Sequence, residues 1–124
     1  MTDPAPFDDG AASPLFGLRV LDLTRLAAGN MLTHMLADFG ADVIKVEIPG
    51  VGDQYRTLSA IPGLPEATSN YMWEMDARNK RSITLNLKAE AGVEILHKLV
   101  SDCDVTSQTN RSRFVMRSAL TMKT

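Results

Sequence analysis

The pattern of apolar and polar residues predicts a strand, a helix and a second strand in the first half of the chain. Residues 18–23 are mainly aliphatic and short, as is typical of a buried central strand, and residues 42–47 are predicted to form a second strand. Between them, apolar residues recur at helical spacing and predict a helix that ends at Gly40. Its inward face would consist of Leu32, Met35, Leu36 and Phe39. The tight connections favour a parallel strand pair.

The second half of the chain continues with more widely spaced elements. Residues 48–65 contain three glycines and three prolines, and a loop of this length is usually functional or mobile. Residues 69–75 are predicted to form a short helix, and residues 81–87 alternate in polarity as a third strand does. Residues 89–100 are predicted to form a second amphipathic helix. Its inward face would consist of Ile95, Leu96, Leu99 and Val100.

These elements predict an α/β fold, a Rossmann-like parallel sheet with flanking helices that is incomplete. A fourth strand begins at Asp104 and Val105, but the polar residues after it lead us to expect that it does not develop. We divide the chain into a mobile leader (residues 1–14), a folded part (residues 15–105) and a divergent basic tail (residues 106–124). In the tail the periodicity is lost and the charge changes, as expected of a truncated or frameshifted reading frame.

Composition and charge exclude several classes of protein. The chain has 124 residues, 44% hydrophobic and 23% charged, which is typical of a single globular domain. Its formal charge is −2, whereas residues 110–124 carry four basic side chains and no acidic one. That tail contains one aromatic residue, Phe114, and no recognisable module, so no nucleic-acid partner is expected. The single cysteine, the lack of a secretory signal and the lack of a long apolar run predict a cytoplasmic protein without a membrane partner.

Isolated titratable residues do not form a recognisable catalytic or metal-binding pattern. His34 and His97 lack a second ligand at metal spacing, so no metal site is predicted and both are interpreted as structural or solvated. Cys103 is interpreted as a core residue at a helix end. Asp22 and Asp42 occupy strand positions and are interpreted as structural rather than as acid–base groups. One basic run is either a phosphate-binding patch or a solvated turn, and it comprises Asn79, Lys80 and Arg81.

A more specific signal comes from two segments taken together. Residues 17–53 read GLRVLDLTRLAAGNMLTHMLADFGADVIKVEIPGVGD, and residues 79–88 read NKRSITLNLK. In this order and spacing they resemble the family III CoA-transferases (the CaiB/BaiF type). That family contains formyl-CoA and carnitine CoA-transferases and the α-methylacyl-CoA racemases. The resemblance covers residues 14–105 and implies that residues 15–105 are the N-terminal part of a CoA-transferase large domain.

The resemblance implies a reaction and a substrate class. Such enzymes bind acyl-CoA or CoA as a substrate, hold no tightly bound cofactor, and transfer CoA between carboxylic acids. A catalytic Asp forms mixed anhydrides and a thioester, which divides one difficult acyl exchange into easier steps. In the family that Asp lies beyond residue 124, so no catalytic residue is assigned here and the chain alone is expected to be inactive. Family members form interlocked homodimers, and an incomplete sheet is expected to associate or aggregate.

Contacts to CoA are carried over from the family position by position. The turn after the first strand, here Ala27 and Ala28, lies against the nucleotide in the family. Arg56 is a candidate phosphate partner. A further segment lines the nucleotide site, and here it consists of Leu85, Asn86, Leu87 and Lys88.

Two departures from the family pattern affect the same region. Asn30 stands where Pro is usual, which predicts a looser turn. Ile48 stands where some relatives have Arg, and an Ile side chain cannot pair with a phosphate.

Three alternatives remain open from the sequence. The chain could belong to an acyl-CoA racemase, which needs a paired acid and base beside the thioester. It could be a non-catalytic module that binds CoA or pairs with a larger relative through exposed faces. It could also be an unrelated nucleotide-binding α/β domain, although no GxGxxG follows the first strand.

Overall fold

The computed structural model describes residues 9–60, 62–63 and 65–109. These residues form a four-stranded parallel sheet in the order β3-β2-β1-β4. The strands are β1 (Arg19–Asp22), β2 (Asp42–Glu47), β3 (Arg81–Thr84) and β4 (Val105–Ser107). The α/β class and the parallel sheet with flanking helices are therefore confirmed.

In the described part of the chain, three α-helices and one 3-10 helix connect the strands. Helix α1 (Leu26–Asp38) joins β1 to β2, and α3 (Glu90–Asp102) joins β3 to β4. The long connection from β2 to β3 contains a 3-10 helix (Gln54–Ala60) and α2 (Tyr71–Asp76). Every element predicted up to residue 102 is present, with ends that differ by a few residues.

Helix α1 ends where the sequence predicts. Gly40 has φ +101°, its N–H donates to Ala37 O at 2.9 Å, and Ala41 N–H donates to Leu36 O at 3.0 Å. This pair of bonds is a Schellman motif, which satisfies carbonyls at the helix end and turns the chain into β2.

The two faces of the sheet carry different kinds of residue. Val20 and Val43 pack against Ala37 and Ala41 on the α1 side. On the α3 side, Leu21 and Val46 pack with Leu96, and the half-buried residues around them are mostly aliphatic. Because side chains alternate along a strand, each central strand contributes to both cores.

The predicted inward face of α1 was wrong. Leu32 and Met35 are each 53% exposed and Phe39 is 56% exposed, while Leu36 is half-buried. The buried residues of α1 are small or polar, namely Gly29, Asn30, Thr33, His34 and Ala37. The physical reason lies in the sheet, because β1 and β2 present Asp22 and Lys45 to this helix and buried charges require polar partners.

Two predictions about the second half of the fold were also wrong. The fourth strand does develop, since Val105–Ser107 pairs in parallel with β1 from Val20 to Asp22. Strand pairing uses backbone groups, so the polar side chains that follow Val105 did not prevent it. On α3, Leu96 is fully buried and Leu99 and Val100 are half-buried as predicted, but Ile95 is 44% exposed.

Some predictions fall on residues that the structure does not describe. Residues 1–8 of the predicted leader and residues 110–124 of the predicted tail lie outside the described residues. The division at residues 14 and 105 stays a prediction, and β4 crosses its second boundary. Within the described part of the chain, no helix has the length and apolar character needed to cross a bilayer.

Candidate functional site

A cavity of about 330 Å³ opens at the carboxyl ends of the parallel strands. Its walls come from the end of β2 and from the residues that follow β1, β2 and β3, with Gln108 after β4. In parallel α/β sheets this edge is where ligands bind, because the strand ends and the loops after them converge there. The lining residues are Leu23, Thr24, Arg25, Lys45, Val46, Glu47, Ile48, Pro49, Gly52, Asp53, Leu85, Asn86, Leu87, Lys88 and Gln108.

The structure brings only part of the predicted site into this cavity. All four residues of the segment Leu85, Asn86, Leu87 and Lys88 line it. Ala27 and Ala28 lie in the first turn of α1, half-buried and exposed respectively, and are not among the lining residues. Arg56 lies behind the wall and pairs with Glu47.

Four charged side chains form a buried cluster beside the cavity, and we call Asp22, Lys45, Asp53 and Lys80 the ion-pair cluster. Lys45 and Asp53 also line the cavity. Lys45 Nζ lies 2.9 Å from Asp53 Oδ2 and 3.8 Å from Asp22 Oδ2. Lys80 Nζ lies 3.1 Å from Asp22 Oδ2. Each of the four side chains is at most 2% exposed. Two cations and two anions balance each other, which is the condition for keeping such charges away from water.

Helix α1 supplies the polar partners that the ion-pair cluster needs. Asn30 donates from Nδ2 to Asp53 Oδ2 at 2.9 Å and accepts at Oδ1 from Lys80 Nζ at 3.0 Å. Thr33 Oγ1 donates to Asp22 Oδ2 at 2.6 Å and also accepts from Lys80 Nζ. The turn predicted to be loose at Asn30 is thus a fully buried, hydrogen-bonded position inside the helix.

Asp53 fixes the turn that enters α1. Its Oδ1 accepts from the N–H of Leu26 at 3.1 Å and of Tyr55 at 2.9 Å. Leu26 has φ +64°, a left-handed conformation that costs energy for a non-glycine residue and persists only where surrounding contacts enforce it. Burial raises the pKa of Asp53, but these bonds together with those from Lys45 and Asn30 lower it below its ordinary value. Asp53 therefore acts as an ionised anchor for this turn.

Glu47 is a second anchored carboxylate in the cavity wall. Arg56 binds it at two points, Nε to Oε2 and Nη2 to Oε1, both at 2.7 Å, and Ser82 also donates to it. Burial raises the pKa of Glu47, but the hydrogen bonds from Arg56, Ser82 and the Asp53 N–H lower it to about 2. The Arg56 guanidinium also lies 3.9 Å from the centre of the Trp73 ring. Arg56 is thus occupied by Glu47 and Trp73.

Among the described residues around the cavity, two cationic side chains have no carboxylate partner. Lys45 is neutralised by Asp53, and Glu47 is neutralised by Arg56. Within residues 9–60, 62–63 and 65–109, neither the Arg25 guanidinium nor the Lys88 ammonium has a carboxylate within ion-pair distance. The cavity therefore has an excess positive charge and favours an anionic ligand.

His34, Tyr55 and Cys103 lie in structural environments away from the cavity. His34 is buried, with Nδ1 2.9 Å from Asp76 O, and Tyr55 donates its hydroxyl to the Asp76 carboxylate. Burial and that carboxylate raise the pKa of Tyr55 to about 12. Burial raises the pKa of Cys103, which disfavours the nucleophilic thiolate. In the described part of the chain, no cluster of three His, Cys, Asp or Glu side chains has the spacing to hold a metal ion.

The two charged residues of the basic run, Lys80 and Arg81, are paired with carboxylates, and Asn79 and Arg81 are exposed as the solvated-turn interpretation expects. Lys80 is buried in the ion-pair cluster, and burial lowers its pKa while Asp22 acts to raise it. Arg81 binds both carboxylate oxygens of Asp42, at 2.8 and 2.6 Å. Asn79 has φ +60° and donates to Asp38.

Sequence reasoning missed the ion-pair cluster and Arg25. The signal for the cluster was a charged residue next to apolar residues in each of the two central strands, Asp22 in β1 and Lys45 in β2. A charge in a central strand must find a buried partner. No local pattern distinguishes Arg25, whose importance depends on which other cations are paired.

The fold and the cavity define an α/β protein with a positively charged cavity at the carboxyl edge of its sheet. Comparison with known proteins specifies the family: the sequence model of CoA-transferase family III matches residues 15–124, and the chain belongs to that family. The predicted family relationship is confirmed.

Individual relatives agree with this assignment. The chain is 45% identical over 98 residues to the succinyl-CoA:glutarate CoA-transferase of Mus musculus, covering 79% of this chain and 22% of that protein. It is 44% identical over 94 residues to a formyl-CoA:oxalate CoA-transferase of Escherichia coli, covering 76% of this chain and 22% of that protein. The chain thus spans about a fifth of the length of these curated relatives.

Solved structures show the same fold. A CAIB/BAIF family protein from Brucella suis matches with a TM-score of 0.73 and 35% identity, over 87% of this chain and 29% of that one. Rv3272 from M. tuberculosis matches with a TM-score of 0.73 and 35% identity, over 88% of this chain and 30% of that one.

Proposed function

We propose that this chain forms the CoA-binding part of a family III CoA-transferase, whose complete reaction moves CoA between carboxylic acids. The observation that carries the proposal is the cavity at the carboxyl edge of the sheet, lined by residues 85–88 and carrying an excess positive charge. CoA is a polyanion with an adenine ring, so it requires both cations and an apolar wall. The cavity offers both, because Leu23, Val46, Ile48 and Leu87 line it together with the charged residues.

The size of the cavity suits the nucleotide end of CoA. Sites for small molecules measure roughly 300–1,000 Å³, and the cavity of about 330 Å³ is at the lower limit. We therefore assign the adenosine phosphate portion to it and leave the pantetheine arm outside. CoA is a substrate in this proposal, so no tightly bound cofactor is required.

The carboxylates near the cavity are not available as nucleophiles. Asp53 and Glu47 both line it, but their oxygens accept bonds from Lys45, Asn30, Leu26, Tyr55, Arg56 and Ser82. A carboxylate whose oxygens are held by several donors, and whose pKa is lowered by them, is a weaker nucleophile than a free carboxylate. We infer that the catalytic Asp comes from outside the described residues.

Titration of the ¹⁵N-labelled full chain with CoA, monitored by two-dimensional amide NMR, tests the proposal. We expect amide shifts concentrated at residues 23–26, 45–53 and 85–88, with much smaller shifts for adenosine at the same concentration. Lys88→Ala should weaken CoA binding several-fold because it removes a charge from the cavity wall. Lys98→Ala removes an exposed lysine of α3 and should bind as the unmodified chain does. Absence of any shift at 5 mM CoA, a concentration chosen to detect weak binding at roughly millimolar Kd, would refute the proposal.

A second candidate function is suggested by the exposed apolar face of α1. Met31 is 46% exposed, and it lies with Leu32, Met35 and Phe39 on the side of α1 that faces away from the sheet. Exposed apolar patches of this kind mark protein interfaces. On this alternative the chain is a non-catalytic module that pairs with another copy or with a larger relative in the cytoplasm. Light scattering of the purified chain tests pairing with itself, which a chain that stays monomeric at all concentrations contradicts. Co-purification with a full-length relative tests pairing with a larger partner.

A further inference from the structure

We infer that Arg25 is the residue that selects the phosphorylated form of the ligand, by binding a phosphate group at the cavity entrance. The inference rests on the proposed function, because it assigns a role within the same CoA site. Arg25 lines the cavity directly after β1 and is half-buried. No carboxylate among the described residues neutralises it.

The backbone around Arg25 is held in place at three consecutive positions. The N–H of Thr24 donates to Asp22 Oδ1 at 2.8 Å, and that of Arg25 donates to Thr109 Oγ1 at 3.0 Å. The N–H of Leu26 donates to Asp53 Oδ1 at 3.1 Å. Because these bonds fix the backbone on both sides of Arg25, the side chain starts from a defined position at the cavity. Asp53 and the left-handed Leu26 are therefore positioning elements for Arg25.

The neighbouring cations cannot replace Arg25. Lys45 is buried and paired with Asp53, and Arg56 is held at two points by Glu47. Ile48, which lines the cavity after β2, carries no charge. Of the basic residues in the described cavity wall, only Arg25 and Lys88 retain the capacity to bind an external anion.

The placement of these two cations suits a ligand with two separate phosphate groups. Arg25 follows β1 and Lys88 follows β3 by a few residues, and these strands are the two neighbours of β2. Two strand spacings of about 4.8 Å place the strand ends roughly 10 Å apart. CoA carries a diphosphate and a separate 3′-phosphate. A planar guanidinium can donate two parallel hydrogen bonds to a phosphate, whereas an ammonium acts as a point charge.

The test compares Arg25→Gln with the unmodified chain by calorimetric titration of CoA, dephospho-CoA and pantetheine. Glutamine keeps the polarity and most of the length of the side chain while removing the charge. Lys98→Gln is the matched control, because it removes an exposed charge on α3 that does not line the cavity. Amide NMR spectra of each variant establish that the fold is retained.

We expect Arg25→Gln to weaken CoA binding about tenfold or more, as is typical for the loss of a charge-assisted hydrogen bond. Pantetheine lacks these phosphates and its arm is assigned outside the cavity, so neither the unmodified chain nor the variant should bind it measurably. An equal loss for CoA and dephospho-CoA would place Arg25 at the diphosphate, and a loss for CoA alone would place it at the 3′-phosphate. The inference is overturned, with the proposed function intact, if the unmodified chain binds CoA and Arg25→Gln binds it equally well. If the unmodified chain binds no CoA, both are overturned.

Discussion

The two faces of the central sheet are built on different physical principles. On the α3 face, β1, β2 and β3 contribute aliphatic side chains, among them Leu21, Val46 and Ile83, that pack against Leu96. On the α1 face, the same strands contribute Asp22 and Lys45 beside Val20 and Val43. The apolar face stabilises the fold by burial. The polar face costs desolvation but fixes the turn after β1 and the loop after β2 beside the cavity.

The helices on the two faces reflect this division. Helix α3 buries Leu96 and leaves polar residues outside, as an amphipathic surface helix does. Helix α1 buries Asn30 and Thr33 and leaves much of its apolar surface exposed. In α1, the small Gly29 allows close approach, because an added Cβ would lie 2.2 Å from Thr24 Cβ.

The largest loss of unfolding free energy should come from removing one charge of the ion-pair cluster on the polar face. Asp22→Ala leaves two buried lysines with a single carboxylate, and removing one partner of a buried ion pair typically costs about 3–5 kcal/mol. Asp42→Ala removes a carboxylate from an exposed pair with Arg81 and should cost roughly 0–1 kcal/mol. Urea unfolding of both variants measures the difference. Equal midpoints for the two variants would show that the ion-pair cluster is not a buried structural element.

A smaller loss of unfolding free energy should distinguish a buried leucine of α3 from an exposed leucine of α1. Leu96→Ala opens a cavity on the apolar face and should lower the free energy of unfolding by about 2–4 kcal/mol. Leu32→Ala truncates a leucine of α1 that is half exposed and should change it by less than about 0.5 kcal/mol. Thermal or urea unfolding provides the comparison. A large loss for Leu32→Ala would mean that the exposed face of α1 is covered by another surface in solution.

The smallest effect should be a pH dependence confined to the polar face. The pKa of Glu47 is about 2 in the folded chain against an ordinary value of 4.5, so folding favours its ionised form. The stabilisation is complete above about pH 4.5 and is lost as the pH falls towards 2. Glu47→Gln should therefore flatten the fall of unfolding free energy over that window. The exposed Glu94→Gln on α3 serves as the control, and an identical acid profile for Glu47→Gln and the unmodified chain would contradict the assignment.

The sequence predicted the elements of this fold better than their orientation. Strand β2 and the end of α1 at Gly40 follow from local signals, the first from β-branched residues close in sequence and the second from glycine's access to positive φ. The exposed face of α1 does not follow from local signals. Its apolar residues have helical spacing, and only the charged residues of the sheet beneath determine which side of the helix is buried. The site was partly predictable, since residues 85–88 line the cavity, while Arg56 proved to be held by Glu47.

By itself, the sequence determined the α/β class, the order of the elements and the family, because each depends on short-range periodicity, turn residues and motif spacing. The tertiary structure decided which charges are paired and which are left to meet a ligand. Asp22, Lys45, Asp53 and Lys80 come from separate positions in the chain and neutralise one another only when β1, β2, the loop after β2 and the start of β3 are brought together. Electrostatic balance is a property of distances in space, so the availability of Arg25 and Lys88 became visible only in the folded chain.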